Sequence, residues 1–207
     1  MRKQGITLVY CIEEKISPLI ETYVKSVGGY LVDNKLTYRK EIKKKNIQQI
    51  NYPNGYTVEQ YKEGIPTAKM NNLAIESGIH SRFNNDPKIN SNVFKKLYKT
   101  WMYNSVNKTI ANEVFIAKDN NNIVGMMTLN KIKNEGRIGL IAVDFLNRGQ
   151  GIGSSLIHQG ELWCISEGLE SFQVITQQKN KEACYLYSKN KFILRKSETV
   201  YHIWLNN

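Results

Sequence analysis

The chain is 207 residues long, 41% hydrophobic and 23% charged, with a formal net charge of +11; that length buries a substantial core as one domain, or as one domain with a smaller unit. No apolar run reaches the roughly 18 residues of a membrane span, and Cys11, Cys164 and Cys184 show no ligand spacing among themselves or with His80, His158 and His202, so neither a disulfide framework nor a metal site is expected. Residues 1–110 carry 18 Lys+Arg against 9 Asp+Glu, whereas residues 111–207 carry 11 against 9; a basic first half suits an acidic partner, although scattered Lys such as Lys43-Lys44-Lys45 fit a solvated surface better.

Met1 to Gly5 leads into a brief apolar stretch, Ile6 to Ile12, which Glu13-Glu14-Lys15 interrupts. It is too short for a secretory signal and lacks a small-residue cleavage site, so it reads as a first strand, Gly5 to Ile12, of a cytoplasmic protein. Ser17-Pro18 opens a helix that Gly28-Gly29 closes. Tyr30-Leu31-Val32 and Leu36-Thr37-Tyr38 flank Asp33-Asn34-Lys35 and predict a hairpin. From about residue 43 to 72 the pattern assigns no element. Asn90-Ser91 then caps a periodic segment with Phe94, Leu97, Tyr98, Trp101 and Ser105 on one helical face.

Glu113 to Ala117 and Ile123 to Leu129 predict two antiparallel strands joined by the polar turn 118–122, and Arg137 to Phe145 predicts a third. A helix from about Ile152 to Glu167 ends at Gly168, with Ile152, Leu156 and Trp163 as its inner face. Phe172 to Thr176 predicts a strand, Lys181 to Lys189 a short helix, and Phe192 to Leu194 with Val200 to Leu205 two last strands.

Between the third strand and the long helix stands Arg148-Gly149-Gln150-Gly151-Ile152-Gly153. Glycines there let the backbone curl so that free N–H groups at the helix start converge on a phosphate-type anion, beside the fixed charge of Arg148. No Lys-Ser/Thr follows, which excludes a P-loop, and G-x-G-x-G after antiparallel strands is not the dinucleotide fingerprint. The alternative is a merely tight turn between strand and helix.

The motif Arg148-x-x-Gly151-x-Gly153 after Leu140-Ile141-Ala142-Val143 resembles the acetyl-CoA signature of the GNAT superfamily of N-acetyltransferases. Asn180-Lys181-Glu182-Ala183-Cys184-Tyr185-Leu186-Tyr187, ending at Asn190-Lys191-Phe192, is similar to that superfamily's Asn-x-x-Ala-x-x-Leu-Tyr-x-x-x-Gly-Phe segment. Asn190 stands in place of the Gly, as the next best residue for a left-handed position after a helix. The resemblance implies an α/β (α+β) GNAT fold, a mixed, mostly antiparallel sheet flanked by helices over residues 76–207, with a smaller α/β amino-terminal region over 1–75.

It also implies acetyl-CoA as co-substrate, held by Arg148, Gly149, Gln150, Gly151, Ile152, Gly153 and Ser154, by the strand Leu140, Ile141, Ala142 and Val143, and by Asn180 and Tyr187. Tyr187 is implied as the catalytic acid that protonates the departing thiolate, since phenol and thiol have similar ordinary pKa values. The strand's amides would polarise the thioester carbonyl. The amine attacks directly, so Cys184 is expected to pack in the core rather than act as a nucleophile.

For the acceptor, the stretch Ser81-Arg82-Phe83-x-x-Asp86, the helix with Leu97-Tyr98-x-x-Trp101 and the extra amino-terminal region look like nucleotide-aminosugar N-acetyltransferases of the dTDP-fucosamine type. This implies a nucleotide-linked amino sugar of cell-surface polysaccharide synthesis, with Arg82 on its diphosphate, Phe83 or Tyr103 against its base, and His80 as a candidate proton acceptor. The plainer reading makes Arg82 and Asp86 an ion pair clamping a loop. Glu113 and Asp144 are candidate general bases with no motif behind them. A family member acting on a protein amino terminus, a polyamine or an antibiotic is the alternative, followed by a basic nucleic-acid-binding module, for which no recognition motif is present. Homodimer formation is left open.

Overall fold

The computed structural model describes residues 6–15, 17–43 and 55–205, so Lys44 and Lys45 lie outside the described residues. One sheet of eight strands organises them. In chain order the strands are β1 (Leu8–Glu13), β2 (Tyr30–Glu41), β3 (Tyr56–Gln60), β4 (Glu113–Asp119), β5 (Asn122–Ile132), β6 (Glu135–Val143), β7 (Ser171–Gln177) and β8 (Ile193–Trp204). Across the sheet they run β1-β8-β2-β7-β6-β5-β4-β3. Every neighbouring pair is antiparallel except β6 and β7, which are parallel.

The helices are α1 (Pro18–Ser26), α2 (Ala68–Ser77), α3 (Arg82–Asn85), α4 (Ser91–Val106), α5 (Ile152–Ser166) and α6 (Lys181–Lys189). Each face of the sheet buries one apolar cluster. On one side α5 and α6 cover Leu36, Met127, Ile138, Phe172 and Val174 with Ile152, Leu156, Trp163 and Tyr187. On the other, α2 and α4 cover Val114, Ile116, Met126, Leu140 and Ala142 with Met70, Leu73, Phe94, Tyr98 and Met102. Along β6, Ile138 faces the first cluster and Leu140 and Ala142 the second, because the register shift opposite Met127 and Leu129 gives β6 one extra residue and moves the following positions to the other face.

Helix α4 starts where its cap predicts, with the Asn90 side chain accepting from the Asn92 amide at 2.8 Å. It buries Phe94, Tyr98, Met102 and Ser105, whereas Leu97 lies at the edge of the face, 36% exposed. Helix α6 spans the expected residues, capped by the Asn180 side chain, which accepts from the Ala183 amide at 3.1 Å.

Three expectations are corrected. Residues 30–41 form one continuous strand rather than a hairpin: polar Asp33-Asn34-Lys35 runs through the sheet between β7 and β8, with a register shift between Leu31 and Asp33. Likewise the two expected last strands are one, β8, whose polar middle from Lys196 to Glu198 pairs with β2, and whose residues from Thr199 on pair with β1 as well. At the end of α6 the left-handed residue is Lys191 (φ 65°), not Asn190 (φ −87°). Asn190 instead folds its side chain back, donating from Nδ2 to the Leu186 carbonyl at 2.7 Å and to Ser154 Oγ at 3.1 Å.

The stretch left unassigned contains β3, paired with β4 at the sheet edge, and the start of α2, capped by Thr67. The amino-terminal 75 residues thus supply strands at both ends of the same sheet that residues 113–204 build.

Candidate active site

Strands β6 and β7 are paired from Glu135 with Ser171 only as far as Ile138 with Val174, and then part. On its other side β6 stays bonded to β5 up to Val143. Hydrogen-bonding direction alternates along a strand. The Leu140 amide donates to Thr128 Oγ1 at 2.9 Å and the Asp144 amide to the Val124 carbonyl at 2.7 Å, both toward β5. Alternation therefore turns the polar groups of Ile141 and Val143 into the gap. Of the four strand residues expected to meet the co-substrate, two present backbone to the opening; Leu140 and Ala142 spend theirs on β5.

At the open end of this gap lies the glycine loop. Gly149 and Gly151 take φ values of 77° and 87°, a left-handed region where a side chain would be strained. Gly151 is the N-cap of α5, so the first amides of that helix, from Ile152 to Ser154, meet no intrahelical acceptor and point out of its positive end. At Gly153 the reason for glycine is different: a Cβ there would lie 3.1 Å from Leu186 Cδ2, so this position sets how closely α5 and α6 approach. The loop is held from outside by β3, whose Tyr56 hydroxyl donates to Gln150 Oε1 at 2.7 Å and accepts from Asn147 Nδ2 at 3.2 Å.

Arg148 bends back over the gap. Its Nε donates to the Val143 carbonyl at 3.0 Å, its NH2 group lies 3.3 Å from Glu76 of α2, and its guanidinium rests 5.6 Å from the Phe145 ring centroid. Phe145 and Leu146, in the 3₁₀ turn before it, are 72% and 82% exposed. These residues fit an acyl-CoA: an anion cradle at a helix start, a cation beside it, and free strand amides one step further in.

Tyr187 projects from α6 into the α5–α6 core, with its ring packed 5.8 Å from Tyr38 and 5.9 Å from Phe192. Its hydroxyl makes no hydrogen bond among the described residues. Burial, with a smaller contribution from Cys184, pushes the phenol well above its ordinary value, so it holds its proton at neutral pH. Cys184 is half-buried at the edge of the core, its thiol directed to the Gln177 carbonyl at 3.7 Å. Asn180 uses its carbonyl oxygen as the α6 cap, which leaves its NH2 group for a ligand.

The acceptor-side residues sit on the opposite face of the sheet, where α3 crosses the end of β2. Arg82 is sandwiched between aromatic rings, 4.6 Å from the centroid of Tyr10 and 4.7 Å from that of Phe83. Among the described residues it forms no ion pair, and its Nε is buried without a partner. The expected Arg82–Asp86 pair is absent. Asp86 turns inward instead, accepting from the Tyr30 hydroxyl at 2.5 Å, the Trp204 indole at 3.0 Å, the Lys88 amide at 2.8 Å and His202 Nδ1 at 2.5 Å.

His80 is half-buried and its imidazole makes no hydrogen bond among the described residues, while Tyr103 is half-exposed on the outer side of α4. Glu113 lies away from the gap. It opens β4 at the far end of the sheet, bound to Lys108 at 3.0 Å and Gln60 at 2.5 Å. Asp144 does lie at the open end, ion-paired with Lys69 at 2.8 Å. Missed from sequence was Asp33, a buried carboxyl on β2 near Arg82; its place inside an apparent turn concealed it. Among the described residues no three metal-ligating side chains cluster, and no helix is long and apolar enough to cross a membrane.

A sheet that parts between its two parallel strands, with a glycine loop and a helix start at the opening, defines an α+β fold of the acetyltransferase type. The chain belongs to the acetyltransferase (GNAT) family, whose model matches residues 84–192. Solved structures agree on the fold. A GCN5-related N-acetyltransferase from Sphaerobacter thermophilus superposes with a TM-score of 0.66 at 13% identity, over 97% of this chain and 60% of that one. A functionally unknown conserved protein from Staphylococcus epidermidis gives 0.65 at 13%, over 98% and 75%. A tandem GNAT protein from the clavulanic acid biosynthesis pathway gives 0.66 at 10%, over 100% and 66%. The chain thus spans 60% of the first of these and about two thirds of the third. No curated protein matches it in sequence. These matches are to the family at large, and the finer likeness to nucleotide-aminosugar enzymes has no counterpart among them.

Proposed function

We propose that the chain transfers acetyl from acetyl-CoA to the amine of a nucleotide-linked amino sugar, by direct attack with both substrates bound. The observation that carries the acetyl-CoA reading is the gap between β6 and β7 beyond Ile138, with the polar backbone of Ile141 and Val143 facing it and the Gly149–Gly151 cradle at its mouth. Acetyl-CoA supplies an activated thioester. The α5 amides from Ile152 to Ser154 and Arg148 would hold its pyrophosphate, and Gln150 would stay with Tyr56 as the wall of the cradle. Ile141 and Val143 would take the pantetheine arm and polarise the carbonyl, assisted by the Asn180 NH2 group. Tyr187, protonated and without an acceptor, would give its proton to the departing sulfur.

The acceptor reading rests on Arg82. An unpaired guanidinium clamped between two rings is a rigid anchor for a phosphate or carboxylate, and it disfavours polycationic acceptors such as polyamines. Phe83 serves there as the platform of Arg82, and His80 stands beside it with a free imidazole. Three free cysteines fit a reaction in the reducing cytoplasm.

The test is thiol release from acetyl-CoA on mixing the protein with a panel of amino-sugar nucleotides, peptides and polyamines. Turnover confined to the sugar nucleotides, lost in Arg82→Gln, is the expected result. Turnover only with peptides or polyamines would contradict the acceptor reading, and turnover with none would contradict transfer to these amines.

A further inference from the structure

The acetyl-transfer reading leaves one requirement open, a group to take the proton that the amine loses. From Asp33 to Thr37 β2 keeps its register with β8, and from Lys35 to Glu41 with β7, so its side chains alternate along this stretch. Leu36 and Tyr38 point to the α5–α6 core, and Lys40 pairs with Glu161 of α5. Asp33, Lys35 and Thr37 therefore point to the other face, where α3 and α4 lie.

Along the sheet, Lys35 is opposite Gln177 and the Gln178 amide donates to the Asn34 carbonyl at 2.8 Å. Asp33 is thus level with the carboxyl end of β7, one strand from the gap and at its open end. It is 8% exposed, takes part in no ion pair among the described residues, and has the Asn34 amide as a hydrogen-bond donor. Charged and titratable groups face it from each element around it: Arg82 on α3, Tyr98 on α4, Lys179 between β7 and α6, and Lys35 on its own strand. Beside Arg82, Ser81 is also buried.

We propose that Asp33 is the catalytic base of the acceptor site, paired with Arg82 so that one cleft holds an amine at the carboxylate and an anionic group at the guanidinium. As the N–C bond forms, the nitrogen's proton passes to the Asp33 carboxylate. As the C–S bond breaks, sulfur takes the Tyr187 proton, and solvent returns both residues to their starting states. Burial supports this role by raising the Asp33 carboxyl to about 6, while Arg82 and the Asn34 amide oppose that rise. A carboxylate so placed is a stronger base than an exposed one and is still ionised at pH 7.

This assignment rests on the acetyl-transfer reading, and its test separates the two. With the amino-sugar nucleotide that the panel selects, Asp33→Asn should lower kcat/KM at pH 7 by about 100-fold or more. It should also abolish the loss of activity below about pH 6 that the wild type shows, with acetyl-CoA affinity unchanged. Asp33→Glu should recover part of both. An Asn variant with full activity and an unaltered pH profile would overturn the assignment while leaving acetyl transfer intact.

Should no sugar nucleotide release thiol with the wild type, the functional reading fails instead, and carbon-13 titration of the Asp carboxyls in the acetyl-CoA-bound protein decides on Asp33. The assignment requires one carboxyl titrating near 6, missing from Asp33→Asn and raised further in Arg82→Gln. Its absence, or its indifference to Arg82, would overturn the proposal.

Discussion

His202 Nδ1 lies 2.5 Å from the Asp86 carboxylate, a contact that joins β8 to the segment just after α3 across 116 residues of chain. Both side chains are wholly enclosed. Burial holds His202 below its ordinary value and therefore neutral, so its Nδ1–H donates to Asp86. The His202 ring lies 4.8 Å from that of Tyr10, tilted by 37°, and the Arg82 guanidinium lies 4.6 Å from the Tyr10 centroid. Arg82 is thus linked through Tyr10 to a buried network centred on Asp86.

Removing the centre of that network should be costly. Asp86→Ala strands three side-chain donors in the interior and should destabilise the protein by about 3 kcal/mol or more, with Asp86→Asn roughly half as harmful because it keeps an acceptor. Burial opposes ionisation of Asp86, but the His202, Tyr30, Lys88 and Trp204 donors hold its carboxyl below the ordinary 3.8. Its stability contribution is therefore present above that value and lost as pH falls through the depressed one. Denaturant melts at pH 7 and pH 3 check both statements.

Asp33 has the opposite sign. A carboxyl raised from 3.8 to about 6 contributes stability below pH 4 that is lost as pH rises through 6. Asp33→Asn should therefore be more stable than wild type at pH 7.5, by about 1–3 kcal/mol, with the gain shrinking toward pH 4. A variant that gains stability while losing turnover is the signature of a group retained for chemistry. Equal melting curves at pH 7.5 would show the carboxyl to be well solvated.

Gly151→Ala tests the cradle. A side chain at φ 87° should cost about 1 kcal/mol of stability. It should also weaken acetyl-CoA binding about 10-fold or more, because the helix-start amides lose their alignment, as calorimetric titration would measure.

Tyr187→Phe should lower kcat while leaving acetyl-CoA affinity nearly intact, since only the hydroxyl is removed from a ring that packs against Tyr38 and Phe192. Steady-state rates and a binding isotherm on the same variant separate the two effects.

The cofactor half of this site is legible from residue types because its chemistry is local. Gly149 and Gly151 are needed where the backbone turns left-handed, and Asn180 caps the helix that carries Tyr187. The acceptor half is not local. Asp33-Asn34-Lys35 has turn composition, and only its place between β7 and β8 makes it strand, with Lys35 paired to Glu198 across the sheet. Arg195 to Thr199 misleads in the same way; Glu198 is polar inside β8 because Lys35 of β2 meets it at 2.8 Å. Asp86 reads as a partner for Arg82 four residues away, yet its partners are Tyr30, His202 and Trp204, which no spacing rule connects.

The central claim is that the gap between β6 and β7, with its glycine cradle, binds acetyl-CoA. Thermal melting of the full chain with acetyl-CoA at about 100 times its dissociation constant should show about 2.7 kcal/mol of added stability, a clear rise in Tm. Unchanged melting at millimolar acetyl-CoA would contradict the account.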